Sequence, residues 1–455
     1  MNAQRILWPA RDLREATGGA FAQSFDAAGI AIDSRTLAAG DVFVALKTDR
    51  ADGHDHVKAA LAKGASGAIV QTSPGPGPFL VVDDTQDALG RMGAFGRARF
   101  TGKAIAVTGS VGKTTVKEML RLMLAAQGQT HAAAASFNNH LGVPLTLALL
   151  PPAARYCVAE IGMNHPGEIA PLARLVQPHV ALITTIEPAH IGNLGSIEAI
   201  ADEKARIAAG LLPGGTLVLP ADGPMAARLR ERAGTAKILT HGRAASADAR
   251  VLTEALDATG SAVTAQIGPH PINFRLNVPG AHMITCAIAA LAGIHALGAD
   301  VTAAARALAG FAAVTGRGAT RRFPVKGGTA VLIDESYNAS PASVRAALAV
   351  LGMQTGHRRV AVLGDMLELG DRHEADHQAL ADAVAANADR LYACGPGMKV
   401  LFDSIPAKLR GAHAADSAAL APLLRAGLLP NDAVLVKGSL GSRMKLVVTA
   451  LESLA

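Results

Sequence analysis

The stretch Thr108-Gly109-Ser110-Val111-Gly112-Lys113-Thr114-Thr115 has the residue types of a phosphate-binding loop. Its glycines let the backbone turn N–H groups toward phosphate oxygens, and a helix starting there adds favourable partial charge. Lys113 is placed to neutralise the outer phosphates of a nucleoside triphosphate, and the Thr114 hydroxyl to ligate Mg2+. In the general pattern G-x-x-x-x-G-K-[ST] the first glycine falls on Val107, so the match is incomplete. A chance glycine turn with a surface lysine is the plainer reading. An apolar strand before the loop (104–107) and a periodic helix after it together outweigh that reading.

Further candidates follow other apolar runs. Glu160 stands at the end of a strand over 155–159, where a carboxylate can hold Mg2+ beside the loop. The competing reading is a solvated loop acid. His190 lies in a turn after the strand 180–185; structural and metal-ligating roles are about equally favoured, although Mg2+ prefers oxygen. Lys204 reads by default as an exposed helical lysine. Near the C-terminal third, Asp334-Glu335-Ser336-Tyr337-Asn338 follows a buried strand, with Ser340-Pro341 as helix N-cap and first turn. Gly364-Asp365-Met366 and Lys437-Gly438-Ser439 also fall at strand ends. Each is weak alone, and ordinary turn chemistry explains any one of them. Together they suggest a unit closing over a ligand held by the loop.

These residues need elements to position them. A stripe of Val116, Met119, Leu120, Met123 and Leu124 predicts a helix with one buried face. Residues 1–84 read as a small α/β unit, with strands at 30–33, 41–45, 67–70 and 79–82 and a helix over 56–63. Residues 85–315 read as a P-loop ATPase-like domain on a parallel sheet. Residues 316–455, with strands at 330–333, 360–363, 390–394 and 433–436, read as a doubly wound, Rossmann-like α/β domain. A chain of 455 residues is long enough for such a division. The charge of +6 is scattered, and aromatics make up only 3% of residues, which favours a polyanionic small substrate over nucleic acid. Cys157, Cys286 and Cys394 lack metal spacing and read as buried thiols of a reducing compartment. Two uncharged stretches, 125–154 and 276–299, contain prolines and histidines and read as buried segments rather than membrane spans. The N-terminus lacks the apolar core of a secretion signal.

Taken together, the motifs resemble the muramoyl-peptide ligase family of cell-wall precursor synthesis, over nearly the whole chain. The shortened loop TGSVGKTT is the form that family uses. Asp33-Ser34-Arg35, Asp41-Val42-Phe43 and Asp52-Gly53-His54 resemble its uridine-nucleotide-binding first domain. Phe137-Asn138-Asn139, Leu141-Gly142-Val143-Pro144, Ser336-Tyr337-Asn338-Ala339 and Gly364-Asp365-Met366-Leu367-Glu368 resemble the branch that adds D-alanyl-D-alanine.

The resemblance implies ATP-dependent amide bond formation between UDP-N-acetylmuramoyl-tripeptide and D-alanyl-D-alanine, through an acyl phosphate, in peptidoglycan synthesis. It implies that Gly109 to Thr115 hold ATP, with Arg317, Asp334, Tyr337 and Asn338 contributing from the third domain. Ser34, Arg35, Asn138 and Asn139 are implied to hold substrate. Catalytic roles fall to Lys113, His190 and Lys204, and one or two Mg2+ ions fall to Thr114, Glu160, His190 and Lys204. Lys204 aligns with a lysine that is carbamylated in some sister ligases. A cytoplasmic monomer is expected, with no nucleic-acid partner.

The chain departs from the family where Arg-His-Asn, whose asparagine stands near adenine, is Ala281-His282-Met283. Three alternatives compete: the preceding, tripeptide-forming ligase, a folate-polyglutamate ligase, and a regulatory nucleotide-binding protein.

Overall fold

The computed structural model describes residues 6–48, 51–134, 136–188 and 191–453. Three large sheets and a two-stranded ribbon organise the chain. The first sheet runs in the order Ala20–Phe21, Phe79–Val81, Gly67–Val70, Asp41–Val44, Gly29–Ala31, parallel except at the Ala20–Phe21 edge. Its core gathers around Trp8, which is fully buried and whose indole N–H donates to Ala148 O at 2.9 Å. Ala148 ends the helix Gly142–Ala148 of the next sheet's layer, so this bond ties the two layers together. The helix Thr85–Ala98, capped by the Asp84 carboxylate, lies between them and packs on both Ala10–Thr17 and Gly142–Ala148.

The second sheet has nine strands. Its parallel part runs Lys237–Gly242, Thr216–Pro220, Val180–Ile183, Lys103–Thr108, Tyr156–Glu160, Thr130–Ala132. Lys103–Thr108 lies inside the sheet, and every residue after Lys103 is buried, as expected of a strand covered on both faces. The helix Lys113–Ala125 lays its stripe on one face. Val116, Met119, Leu120, Met123 and Leu124 all have zero exposure, each contributing about 1.5–3 kcal/mol by burial. The helix Ala281–Ala296 packs against it. On the other face lie Gly142–Ala148, Ile169–Val176 and Ile197–Ala205.

Beyond Lys237–Gly242 the sheet differs from the all-parallel expectation. Ala249–Asp257 starts parallel to its neighbour and then forms an antiparallel meander with Gly260–Ile267 and His270–Leu276. The reason is local: the Asp257 carboxylate accepts from the Thr259 and Gly260 N–H groups, closing a tight turn, and alternate residues of the next two strands are buried.

The third sheet runs Ala319–Val325, Gly328–Glu335, Asp432–Lys437, Arg358–Gly364, Arg390–Cys394, Arg410–Ala414, parallel apart from the hairpin at its Ala319–Val325 edge. Separate cores cover its two faces, one under Pro341–Gly352 and the other under Ser417–Gly427 and Lys445–Glu452. The second and third sheets present the carboxyl ends of their strands to one cleft. Among the described residues no helix is long and apolar enough to cross a membrane.

Candidate active site

Strand Lys103–Thr108 runs directly into the glycine loop, and the neighbouring strand's end shapes that loop. Gly109 has φ +147°, and a Cβ there would stand 1.8 Å from Thr184 Oγ1. The Thr184 hydroxyl donates to Val111 O at 2.6 Å, and the Ser110 N–H donates to Thr185 O at 2.8 Å. The Ser110 hydroxyl donates to Glu187 O (2.9 Å) and accepts from the Glu187 N–H (3.0 Å). Gly112, at φ +87°, precedes Lys113, the first residue of the helix. The first N–H groups of that helix have no intrahelical acceptor, and its N-terminus forms part of the cleft wall.

Four side chains meet at the floor of the cleft. Lys113 Nζ donates to Gly109 O at 2.8 Å, and among the described residues no carboxylate lies within salt-bridge distance of it. Burial pushes its ammonium below the usual lysine range, with Glu160 opposing and Arg317 adding to the shift. Glu160, the last residue of Tyr156–Glu160, is 1% exposed. Its carboxylate accepts from the Thr114 hydroxyl at 2.9 Å and from Asn138 Nδ2 at 2.8 Å. A buried carboxylate beside a hydroxyl, both hard oxygen donors, is the chemistry Mg2+ prefers, so Thr114 and Glu160 fit that ion.

The opposite wall comes from the third sheet. Arg317 places its guanidinium 4.0 Å over the Tyr337 ring and donates to Ser136 Oγ at 3.0 Å. Ser136 Oγ lies 3.3 Å from Thr114 Oγ1, so one hydroxyl joins the two walls. Lys437 Nζ pairs with Glu335 Oε2 at 3.2 Å and donates to Asn338 O at 2.9 Å. The whole cleft encloses about 1010 Å³.

Thus the structure brings together Ser110 to Thr115, Asn138, Asn139, Glu160, Arg317, Tyr337 and Asn338 along one cleft. Within it, Asn139 Oδ1 accepts from Gly142 N at 2.9 Å and so caps the helix Gly142–Ala148. Other candidates lie elsewhere. Ser34 and Arg35 follow the edge strand Gly29–Ala31 of the first sheet, where Arg35 pairs with Asp33 at 2.7 Å. The Ser34 carbonyl accepts from Lys63 Nζ at 2.8 Å, which ties this turn to the end of the helix Val57–Ala62.

Asp334 is 1% exposed and turns from the cleft to the Ser336 hydroxyl (2.6 Å) and Arg321 (3.3 Å), whereas its neighbour Glu335 lines the cleft. Lys204, 1% exposed, is buried rather than exposed on its helix and does not line the cleft; its ammonium is held well below the lysine range, first by burial and then by Lys113, with Glu203 opposing. His190 lies outside the described residues. The contact missed from sequence is Ser136. Its position just before Phe137-Asn138 is the only sequence signal, and its partner Arg317 is 181 residues away. Met283 and His282 line the cleft where the family carries Asn and His, and Met283 is 3% exposed.

Comparison with known proteins matches three segments of the chain to family models. Residues 26–89 match the Mur ligase family, catalytic domain; 107–294 the Mur ligase middle domain; and 321–440 the Mur ligase, glutamate ligase domain. The UDP-N-acetylmuramoyl-tripeptide–D-alanyl-D-alanine ligase of Escherichia coli (strain K12) is 36% identical over 430 residues, 93% of each chain. The ligase of the same name from Bacillus subtilis (strain 168) is 32% identical, again over 93% of each. Among solved structures, MurF from Acinetobacter baumannii superposes with a TM-score of 0.86 at 32% identity, covering 98% of this chain and 99% of that one. The MurF ligase from Thermotoga maritima in complex with ADP gives 0.78 at 26% identity, covering 93% and 97%. With its three segments matched in order and its relatives aligned nearly end to end, the chain belongs to the Mur ligase family.

Proposed function

We propose that this chain is an ATP-dependent ligase that joins D-alanyl-D-alanine to the terminal carboxylate of UDP-N-acetylmuramoyl-tripeptide in peptidoglycan precursor synthesis. One observation carries the reading. A lysine with no carboxylate partner among the described residues and a buried Thr114–Glu160 pair share a cleft with Arg317, on a chain whose full-length relatives bear that activity in their names. The ADP-bound relative supports ATP as the nucleotide.

The terminal carboxylate attacks the γ-phosphorus; the new O–P bond forms as the bond to the bridging oxygen breaks, leaving an acyl phosphate and ADP. The amine of D-alanyl-D-alanine then attacks the acyl carbon, and phosphate and a proton leave. The difficulty is an anion approaching a polyanion. Lys113 and the helix N-terminus offset phosphate charge at one end, and Arg317 reaches the same region from the other wall. Thr114 and Glu160 are the residues that would hold Mg2+, which supplies positive charge to the phosphates when bound. Asn138 orients the Glu160 carboxylate. The third-sheet wall keeps water from the acyl phosphate.

Uridine-nucleotide binding by the first sheet, around Ser34 and Arg35, completes the division of substrates. Lys204 is the candidate for carbamylation; burial disfavours its ammonium and so favours the neutral amine that addition to carbon dioxide requires. Three buried free thiols fit a cytoplasmic enzyme. ADP release measured with the tripeptide substrate alone, with D-alanyl-D-alanine alone and with both tests the reading. Sustained turnover is expected only with both; acceptor-independent hydrolysis would instead favour a regulatory nucleotide-binding protein.

A further inference from the structure

Lys117 is one of the largest side chains with no exposure at all, and the phosphate chemistry above makes no use of it. It follows Lys113 by one turn on the helix Lys113–Ala125, yet its ammonium goes to Ala133 O at 2.8 Å and to Glu118 Oε1 at 2.8 Å. Burying an ammonium is unfavourable unless it is bonded and paired. An apolar side chain of similar length would fill the same space, so what the ammonium adds is direction.

That direction leads to the cleft. The Ala133 N–H donates to Val158 O at 3.1 Å, so Ala133 is held between the strand Tyr156–Glu160 and Lys117. Further along, Ser136 meets Thr114 and Arg317, and Asn138 donates to Glu160. The far end is fixed by the Gly162 N–H, which donates to Asn138 O at 2.8 Å. Ala133 and Asn138 are therefore each fastened, and Lys117 ties Ala133 to the helix that carries Thr114.

We propose that Lys117 is a positioning residue: by holding Ala133 O against the helix bearing Thr114 it helps Ser136 and Asn138 keep Thr114 and Glu160 arranged for a divalent cation beside a nucleotide phosphate. The inference rests on the reading of the cleft as a magnesium–ATP site.

Calorimetry with a non-hydrolysable ATP analogue, in magnesium and in EDTA, tests it on the full chain. Lys117→Met should lose about tenfold or more of the magnesium-dependent affinity, the usual range for residues supporting metal ligands, while affinity in EDTA is unchanged. Lys117→Arg should recover part of the loss, and adding Ser136→Ala to Lys117→Met should cost little more, because both act through one loop. Equal loss with and without magnesium, full additivity, or unchanged binding in a folded Lys117→Met overturns the proposal. So does loss of folded protein in both variants, since the lysine is then an element of the fold alone. A parent chain that binds the analogue no better with magnesium overturns the cleft reading, and the Lys117 role with it; a normal parent with an insensitive variant overturns the Lys117 role only.

Discussion

The two walls of the cleft carry charge differently. On the second-sheet wall, Lys113 rests on backbone carbonyls and Glu160 on neutral donors, so among the described residues neither charge is held in a salt bridge. On the third-sheet wall Lys437 pairs with Glu335, and away from the cleft Arg321 pairs with Asp334, so charge there is largely satisfied within the protein. Uncompensated charge in a buried place is what an ionic ligand can exploit, whereas paired charge mainly fixes geometry. On the proposed reading the reacting end belongs to the second sheet, and the third sheet supplies orientation together with a contact that crosses over, from Arg317 to Ser136.

If that contrast holds, Lys113→Met should have the largest effect: about a thousandfold loss of acceptor-dependent ADP release, with uridine-nucleotide binding intact. Steady-state kinetics and a separate nucleotide titration check it, and equal loss of both would break the division. Arg317→Lys should lower kcat/KM by about tenfold, because an ammonium cannot both stack on Tyr337 and bond Ser136 as the planar group does.

A smaller effect is expected with pH. The Lys113 ammonium lies below its ordinary 10.5, so ATP affinity should weaken as pH rises through that lowered value, earlier than for an exposed lysine. The ligand-free protein follows the opposite sign: a lysine binding its proton less tightly when folded than when unfolded favours folding as pH rises through the folded value. Lys113→Arg should flatten the binding profile over the same interval. Smallest of all, Asp334→Asn should change nucleotide affinity by no more than about threefold, under 1 kcal/mol. The melting temperature should nonetheless fall, since the lost contacts are intramolecular. A large loss of affinity with unchanged melting would move Asp334 to the ligand.

How far the sequence carried these conclusions depends on range. The loop and its helix were legible because Gly109, Gly112 and the stripe from Val116 to Leu124 act within a few turns of chain. Glu160 could be placed at a strand end by the apolar run before it. The meander after Lys237–Gly242 was not legible, because its alternation is carried by small residues such as Ala262, Ala265 and Ser261, which contrast weakly. Nor was the inward turn of Asp334, since adjacent strand residues point to opposite faces and two acids in succession do not declare which faces the cleft. The Ser136 contact required two distant segments to meet.

The bonds from Thr184, Thr185 and Glu187 to the glycine loop have a kinetic meaning. A loop whose curvature is enforced by its neighbouring strand end has surrendered its conformational entropy during folding, so capture of a phosphate chain spends little on ordering it. Association should then be governed by encounter and charge, and selectivity among nucleotides by how long each stays.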